Sequence, residues 1–273
     1  MPNATLTQPA SAPLANSFCV LVASADETLD IFDVVFQNAE TIWRDCDWPR
    51  YAGFTTQQAD RFGFHVVSAN KADWRERVCG QLDCLPQNIH YVLLLIEDFF
   101  LTAPVNGAEL NAVAEQVRRG NLAHVRLVPI SRSTLGYGLE WLRRTFTKEL
   151  LRPLAFSEPY YSSVEPAIWR RDYLRALLQQ PGTIWQFEYT IGPERHYAVW
   201  RPVVRYRALV GRAKWYRFAP ALLARHGLSL ANSRRERQTL RFTLRTMRQT
   251  LTFRIFGYLT YRIRRRLNKL PAR

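Results

Sequence analysis

Apolar residues come in unbroken blocks at two places in the chain. Phe18-Cys-Val-Leu-Val-Ala23 is one, and Tyr91-Val-Leu-Leu-Leu-Ile96 is the other. Runs of six suit strands buried on both faces, as in a mainly parallel sheet. Between them the period changes to that of a helix: Ile31, Phe32, Val35, Phe36, Ala39, Ile42 and Trp43 follow the polar caps in Ser24-Ala-Asp26-Glu27-Thr28. Shorter strands are expected over 50–55, 64–68 and 124–130. Helices are expected over 74–82, behind the loop Ala69-Asn70-Lys71-Ala72-Asp73, and over 108–119, where Gly120 stops the second.

The second half is less regular. A helix is expected over 165–178, with Pro166 in its first turn and Pro181-Gly182 beyond its end. Residues 197–210 have strand-like composition, Gly211-Arg-Ala-Lys214-Trp215 reads as a turn, and 219–226 as a short helix before Gly227. Alternating strands and helices predict an α/β domain with a mostly parallel central sheet flanked by helices. Three segments are expected. Residues 1–17 form a loose, uncharged tail without the basic start or apolar centre of a signal peptide. Residues 18–230 form the domain, and 231–273 a basic appendage.

Charge sharpens that division. The net charge is +15, but from Arg234 to Arg273 there are thirteen Lys or Arg and one acid, Glu236, a balance of +12. Subtracting +12 from +15 leaves +3 for residues 1–233, so the body is nearly neutral. A pI argument for nucleic acid would mislead. In the appendage Leu240, Leu244, Met247, Leu251, Ile255, Leu259 and Ile263 recur at steps of three or four beside Arg234, Arg237, Arg241, Arg245 and Arg248. That pattern fits an amphipathic helix on an anionic membrane surface. The alternative is a helix packed on the body, and nucleic-acid binding ranks last. No run of about 18 apolar residues spans a bilayer.

The chemistry begins where the second apolar block stops, at Glu97-Asp98. Ligands of open α/β sheets bind at the carboxyl ends of strands, where a carboxylate can hold a divalent cation and a diphosphate. The alternative is the start of a solvated loop. Cys19, Cys46, Cys79 and Cys84 lack zinc spacing and are expected as free thiols. The five histidines show no metal-binding pairing, and there is no Gly-rich phosphate loop.

Several motifs, in order, resemble a bacterial family of GT-A-type glycosyltransferase-like proteins of cell-surface polysaccharide or lipopolysaccharide assembly. They are Val20-Leu-Val-Ala-Ser24-Ala-Asp26, Val67-Ser68-Ala69-Asn70 before Trp74, Tyr91 to Leu101 with its Glu97-Asp98, Ser162-Ser163-Val-Glu-Pro-Ala167-Ile168-Trp169-Arg170-Arg171, Trp185-Gln-Phe187-Glu188, and Val210-Gly211-Arg-Ala-Lys214-Trp215. The resemblance implies a GT-A-like fold that binds a nucleotide-diphosphate sugar across the C-terminal sheet edge. Many such proteins carry Asp-X-Asp for a metal and the diphosphate. Here Phe99-Phe100 follows Asp98, so the second Asp is missing. Asp98 is the metal candidate, for Mg²⁺ or Mn²⁺, with Glu97 as a second ligand.

The same resemblance implies roles for other residues, each with a plainer alternative. Asp26 would accept a hydrogen bond from the nucleotide base, or it caps a helix. Asn70 would contact base or ribose, or it is a turn residue. Trp169 and Arg170 would meet a saccharide acceptor, together with Trp185, or Trp169 is a core residue beside solvated arginines. Lys214 would close over the diphosphate, or it is an exposed turn. Glu188, between Phe187 and Tyr189, would be the general base of an inverting transfer, or a strand-edge acid paired with Arg. The expectation is a glycosyltransferase acting on a lipid-linked saccharide, cytoplasmic and peripheral on the inner face of the plasma membrane. The rival is a membrane-associated binding protein that kept the fold without the chemistry.

Overall fold

The computed structural model describes residues 13–129 and 147–243, except 157, 159, 160, 181, 189 and 232. The strands are β1 (Phe18–Ala23), β2 (Arg50–Phe54), β3 (His65–Ser68), β4 (Tyr91–Ile96), β5 (Phe99–Leu101), β6 (His124–Arg126), β7 (Leu151–Pro153), β8 (Ala167–Arg170), β9 (His196–Val199), β10 (Tyr206–Ala208), β11 (Val210–Gly211) and β12 (Lys214–Trp215). The helices are α1 (Leu29–Phe36), α2 (Ala39–Ile42), α3 (Trp74–Asp83), α4 (Gly107–Arg119), α5 (Arg171–Leu178), α6 (Ile184–Phe187) and α7 (Ala219–Ala224).

Eight strands make one sheet in the order β3-β2-β1-β4-β8-β6-β9-β7. The pairs among β3, β2, β1 and β4 are parallel. Strand β8 enters antiparallel between β4 and β6, β9 returns to parallel beside β6, and β7 closes the edge antiparallel. The mostly parallel α/β architecture is therefore present. The unbroken apolar blocks have a simple cause. Phe18, Val20 and Val22 of β1 point into one core, with Phe32, Leu110 and Val113 of the helices on that face. Cys19, Leu21 and Ala23 point into the other, with Val78, Leu82, Leu174 and Phe187. Both faces are covered, so every position of the strand is apolar.

Local chemistry sets the boundaries. Asp73 caps α3, its carboxylate accepting from the N–H groups of Arg75 and Glu76. Gly53 lets the buried Gln81 amide approach, since a Cβ there would lie 2.3 Å from it. Gln81 Nε2 then donates to the carbonyls of Ser24 and Phe54 and ties the ends of β1 and β2 together. The expected turn at 211–215 is the two-residue hairpin β11–β12, with Arg212 and Ala213 both at positive φ.

One expectation is corrected. The helix placed over 165–178 starts only at Arg171, because Ala167–Arg170 pairs with β4 and β6 as β8. Just beyond the expected boundary at 230/231 the chain still contacts the body. Ser233 Oγ accepts from Trp215 Nε1 and donates to Asp30, Arg235 Nε pairs with Asp30 at 3.0 Å, and buried Gln238 donates to the carbonyl of Gly211. Residues 233–238 thus pack on the body. Residues 244–273, which carry the rest of the amphipathic pattern, lie outside the described residues. Among the described residues no helix is long and apolar enough to cross a membrane, and all four cysteines are free.

The packing of 233–238 has a testable consequence. Truncation after Leu230 removes the cover of Trp215 and leaves Asp30 without its cation. It should lower the thermal midpoint by roughly 4–8 °C, the effect of about 2 kcal/mol in a domain of this size. Calorimetry of the truncated and full-length chains checks the difference.

Candidate functional site

The parallel strands end at one edge of the sheet, and the antiparallel strand begins there. Leu94 pairs with Ala167, and Ala167 with Arg126. The end of β4, the end of β6 and the approach to β8 therefore meet. Glu97-Asp98, Arg126 and Glu165 are brought to the same edge from positions far apart in the chain.

Beyond Ile96 the chain leaves the main sheet. Strand β5 pairs antiparallel with β10, and the carbonyl of Asp98 accepts from the N–H groups of Phe100 and Leu209 at 3.1 and 3.0 Å. The acid dipeptide is thus fixed where the backbone passes from one sheet to the next. Burial pushes the Glu97 carboxyl up to about 7, with the Asp98 charge adding to it, while the Thr28 hydroxyl and Arg235 oppose the rise. Burial likewise lifts Asp98 to about 6 against a hydrogen bond from the Val210 N–H. Burial thus holds two adjacent acids near neutrality at this edge.

A second group lies beside the first. Arg126, 2% exposed, places Nη1 3.2 Å from Glu165 Oε2. The Tyr206 hydroxyl donates to Glu165 Oε1 at 3.2 Å. Glu188 is 8% exposed. Burial pushes its carboxyl up to about 7, opposed by the Val164 N–H, raised further by Glu165 and lowered by Arg126. Tyr206 joins the two groups: its ring lies 4.5 Å from that of Phe99, and burial, Glu165 and the Asp98 charge all raise its hydroxyl. The approach to β8 is held by Ser162 Oγ donating to the Thr190 carbonyl and Ser163 Oγ accepting from the Glu165 N–H.

The other expected residues fare differently. Asp26 stands after β1, but both its carboxylate oxygens are engaged. They accept from the N–H groups of Thr55 and Thr56 and from the Thr56 hydroxyl. Burial would raise this carboxyl, yet those bonds together hold it below its usual range. Its lone pairs tie β1 to the loop after β2. Asn70 is exposed in the loop after β3, at the same edge. Lys214 Nζ pairs with Glu236 at 2.6 Å.

Trp169 is a core residue, 0% exposed, with its ring 4.0 Å from His124 and 5.8 Å from Phe187. No face is open to a sugar. Arg170 pairs in register with Tyr91, the first residue of β4, so it lies at the opposite edge of the sheet. There it holds Glu194 and Asp172. Both acceptor assignments are therefore corrected by the direction and burial of β8. Trp185 is 72% exposed on α6, three residues before Glu188.

Reading the sequence missed Arg126, Glu165 and Tyr206. A signal existed for Arg126: an arginine inside the apolar block His124-Val-Arg-Leu-Val128 is costly unless paired. Among the described residues no group of three or more His, Cys, Asp or Glu could hold a metal ion. The oxygen-only pair Glu97 and Asp98 fits a hard divalent cation only if water and ligand oxygens complete its shell. On the α1 side, a cleft of about 880 Å³ runs between that helix and 227–235, lined by Asp26, Asp30, Asp33, Phe62, Arg234 and Arg235 among others.

No protein-family model matches the chain, and no curated protein does. Among solved structures it is similar to a cytidylyltransferase from Leptospira borgpetersenii serovar Hardjo-bovis (strain JB197). The two are 10% identical with a TM-score of 0.39, over 93% of this chain and 95% of that one. A likeness of that degree carries no argument about activity, and the reading below rests on the residues of this chain.

The raised carboxyl of Glu188 predicts a pH dependence of stability. Its pKa is about 7 in the fold against an ordinary 4.5, so the fold favours the protonated form. The group costs nothing below about pH 4.5, and its cost grows as pH rises to about 7. Glu188→Gln removes that cost. The variant should gain on the parent protein through this window, by up to about 3 kcal/mol. His196, lowered to about 4 mainly by burial, acts in the opposite sense in both proteins and cancels in the difference. Urea denaturation at a series of pH values checks the slope.

Proposed function

We propose that this chain is a glycosyltransferase, moving a sugar from a nucleotide-diphosphate donor to a saccharide acceptor. The single observation that carries the reading is the convergence of two acid groups at one sheet edge. Glu97 and Asp98 lie at the end of β4, and Tyr206, its ring against Phe99, donates to Glu165 of the second group; the buried carboxyls of Glu97, Asp98 and Glu188 are lifted to about 7, 6 and 7. The ordered motifs that resemble GT-A-type proteins support the same reading.

Glu97 and Asp98 would hold Mg²⁺ or Mn²⁺, which supplies positive charge for the diphosphate when bound. Asn70 would meet the nucleoside at the same edge, and Lys214 would need to leave Glu236 to reach the phosphates. Glu188 would take the proton of the acceptor hydroxyl, its pKa near neutrality suiting it to accept and release protons. Exposed Trp185 offers a ring face on the acceptor side. The acceptor is lipid-linked in this reading, and the basic charge of 244–273 would keep the protein at the cytoplasmic face of an anionic membrane.

A second reading is a binding protein that uses the edge without chemistry. It is favoured by the engagement of Asp26 and the burial of Trp169, which remove two of the expected ligand contacts. Transfer assays across a panel of nucleotide-sugars, with Asp98→Ala as control, separate the two. Asp98→Asn should weaken metal-dependent nucleotide-diphosphate binding while the fold stays intact. Unchanged affinity in calorimetry with Mg²⁺ or Mn²⁺ would sink the donor assignment. Glu188→Gln should lower turnover by about 10²- to 10⁴-fold with donor affinity little changed. Near-normal turnover would give Glu188 a structural role.

A further inference from the structure

The excess of positive charge is not confined to the end of the chain. Residues 205–243 hold nine Arg and one Lys against a single acid, Glu236, whereas residues 1–204 hold 19 Lys or Arg and 22 Asp or Glu, a balance of −3. The fold gathers part of that excess on one surface. The hairpin β11–β12 carries Arg212 at its tip and packs along 236–238. The Trp215 N–H donates to the Glu236 carbonyl at 3.0 Å, and the Gln238 N–H to the Trp215 carbonyl at 2.8 Å. Gly211 makes room for the Tyr216 hydroxyl, since a Cβ there would lie 2.5 Å from it. Tyr216 stacks on Phe218 with ring centroids 5.4 Å apart, and the Arg212 guanidinium lies over the Phe242 ring at 5.6 Å. Arg212, Arg217, Arg237 and Arg241 are exposed. Among the described residues these four make no ion pair, while Lys214 and Arg235 are taken by Glu236 and Asp30. Two large apolar side chains stand open in the same stretch: Phe218 is 44% exposed and Leu240 56%.

We propose that this surface, the hairpin β11–β12 with 216–218 and 237–242, docks on an anionic lipid bilayer. It lies in the described body, apart from 244–273, and it does not depend on the transferase reading. The argument is complementarity of two kinds. Guanidinium groups without acid partners meet the negative surface potential of anionic headgroups. Phe218 and Leu240 enter the headgroup layer and add an apolar contribution that salt does not screen. Nucleic acid would use the same arginines, and Phe218 can stack on a base, but Leu240 has no flat face to offer one. An aliphatic side chain standing open among the cations therefore favours the bilayer. The surface also borders the candidate site. The Asp98 carbonyl accepts from the Leu209 N–H at 3.0 Å, and the Leu209 carbonyl accepts from the Tyr216 N–H at 2.9 Å. Docking in this way brings the sheet edge with Glu97 and Asp98 to the membrane, where a lipid-borne substrate would be presented.

The test uses the full chain with vesicles of mixed phosphatidylserine and phosphatidylcholine, and pure phosphatidylcholine vesicles as the neutral probe, read by flotation over a salt series. The parent protein should bind the mixed vesicles more tightly than the neutral ones. Arg212→Gln combined with Arg217→Gln should weaken that binding about 30-fold, about fivefold for each basic residue, and flatten its salt dependence. Phe218→Ser and Leu240→Ser should each weaken it roughly tenfold and leave the salt dependence as it was. Arg119→Gln is the charge control. That exposed arginine ends α4 at the opposite sheet edge, where the Asn121 carbonyl accepts from Arg170, and its loss should change binding little. Thermal midpoints check that each variant folds, and where the double variant does not, Arg217→Gln and Leu240→Ser decide. Mixed-vesicle binding that none of the surface variants weakens overturns the proposal, as does a full chain that ignores both kinds of vesicle. A chain that ignores vesicles and retards a single-stranded RNA oligonucleotide overturns it in favour of nucleic acid. Vesicle binding that the variants weaken, in a protein that transfers no sugar from any donor, keeps the docking surface and defeats the transferase reading instead.

Discussion

The candidate site depends on the direction of one strand. Because β8 runs antiparallel between β4 and β6, the residues before it arrive at the edge where the parallel strands end, and those after it are carried to the opposite edge. Glu165 is thereby placed beside Arg126, while Arg170 is taken to the start of β4 and to Glu194. Had 165–178 formed a single helix, neither placement would follow. The same insertion buries Trp169 between strands and helices, because a central strand exposes neither face.

Strand direction gathers the charges, but it does not make their burial tolerable. An isolated buried arginine or carboxylate is costly in a low dielectric. Arg126 is tolerated because it pairs with Glu165 at 3.2 Å. Depth and donors decide what burial does to an acid. Asp26 marks the contrast. It is half-exposed, its oxygens accept several hydrogen bonds, and its pKa falls. Glu188 is buried and accepts one from Val164, and its pKa rises. At this edge, depth of burial and number of donors together separate an acid that braces a loop from an acid held near neutrality.

That difference also explains how much could be read from the chain. The strands β1 and β4 were legible because burial on both faces leaves an unbroken apolar signal. Helix α3 was legible because its cap, Asp73, is local. Glu97-Asp98 stood out because the apolar block stops abruptly before it, and the apolar flanks of Glu188 forecast its enclosure. The donors that occupy Asp26 come from Thr55 and Thr56, about thirty residues away, and nothing near Asp26 announces them. Ala167-Ile-Trp-Arg170 is four residues long, too short for its period to separate strand from helix. With Pro166 acceptable in a first helical turn, local rules favoured the wrong element. Arg126 was visible as an arginine inside an apolar block, but its partners are set by pairings that only the topology supplies.

The basic segment shows the same limit in another form. Counting charge from Arg234 onward separates a neutral body from a cationic end, and the count is sound as electrostatics. It does not show which of these residues pack on the body: Arg235 is spent on Asp30 and Gln238 is sealed against the hairpin β11–β12. Arg235 also acts on the Glu97 charge, and the Thr28 hydroxyl, near the start of α1, opposes the rise of that same carboxyl. The segment leading into the basic end thus contributes to the potential at the acid pair. A change in how 233–238 packs would alter the charge balance at Glu97 without touching β4, so Arg235 joins this segment to the candidate site.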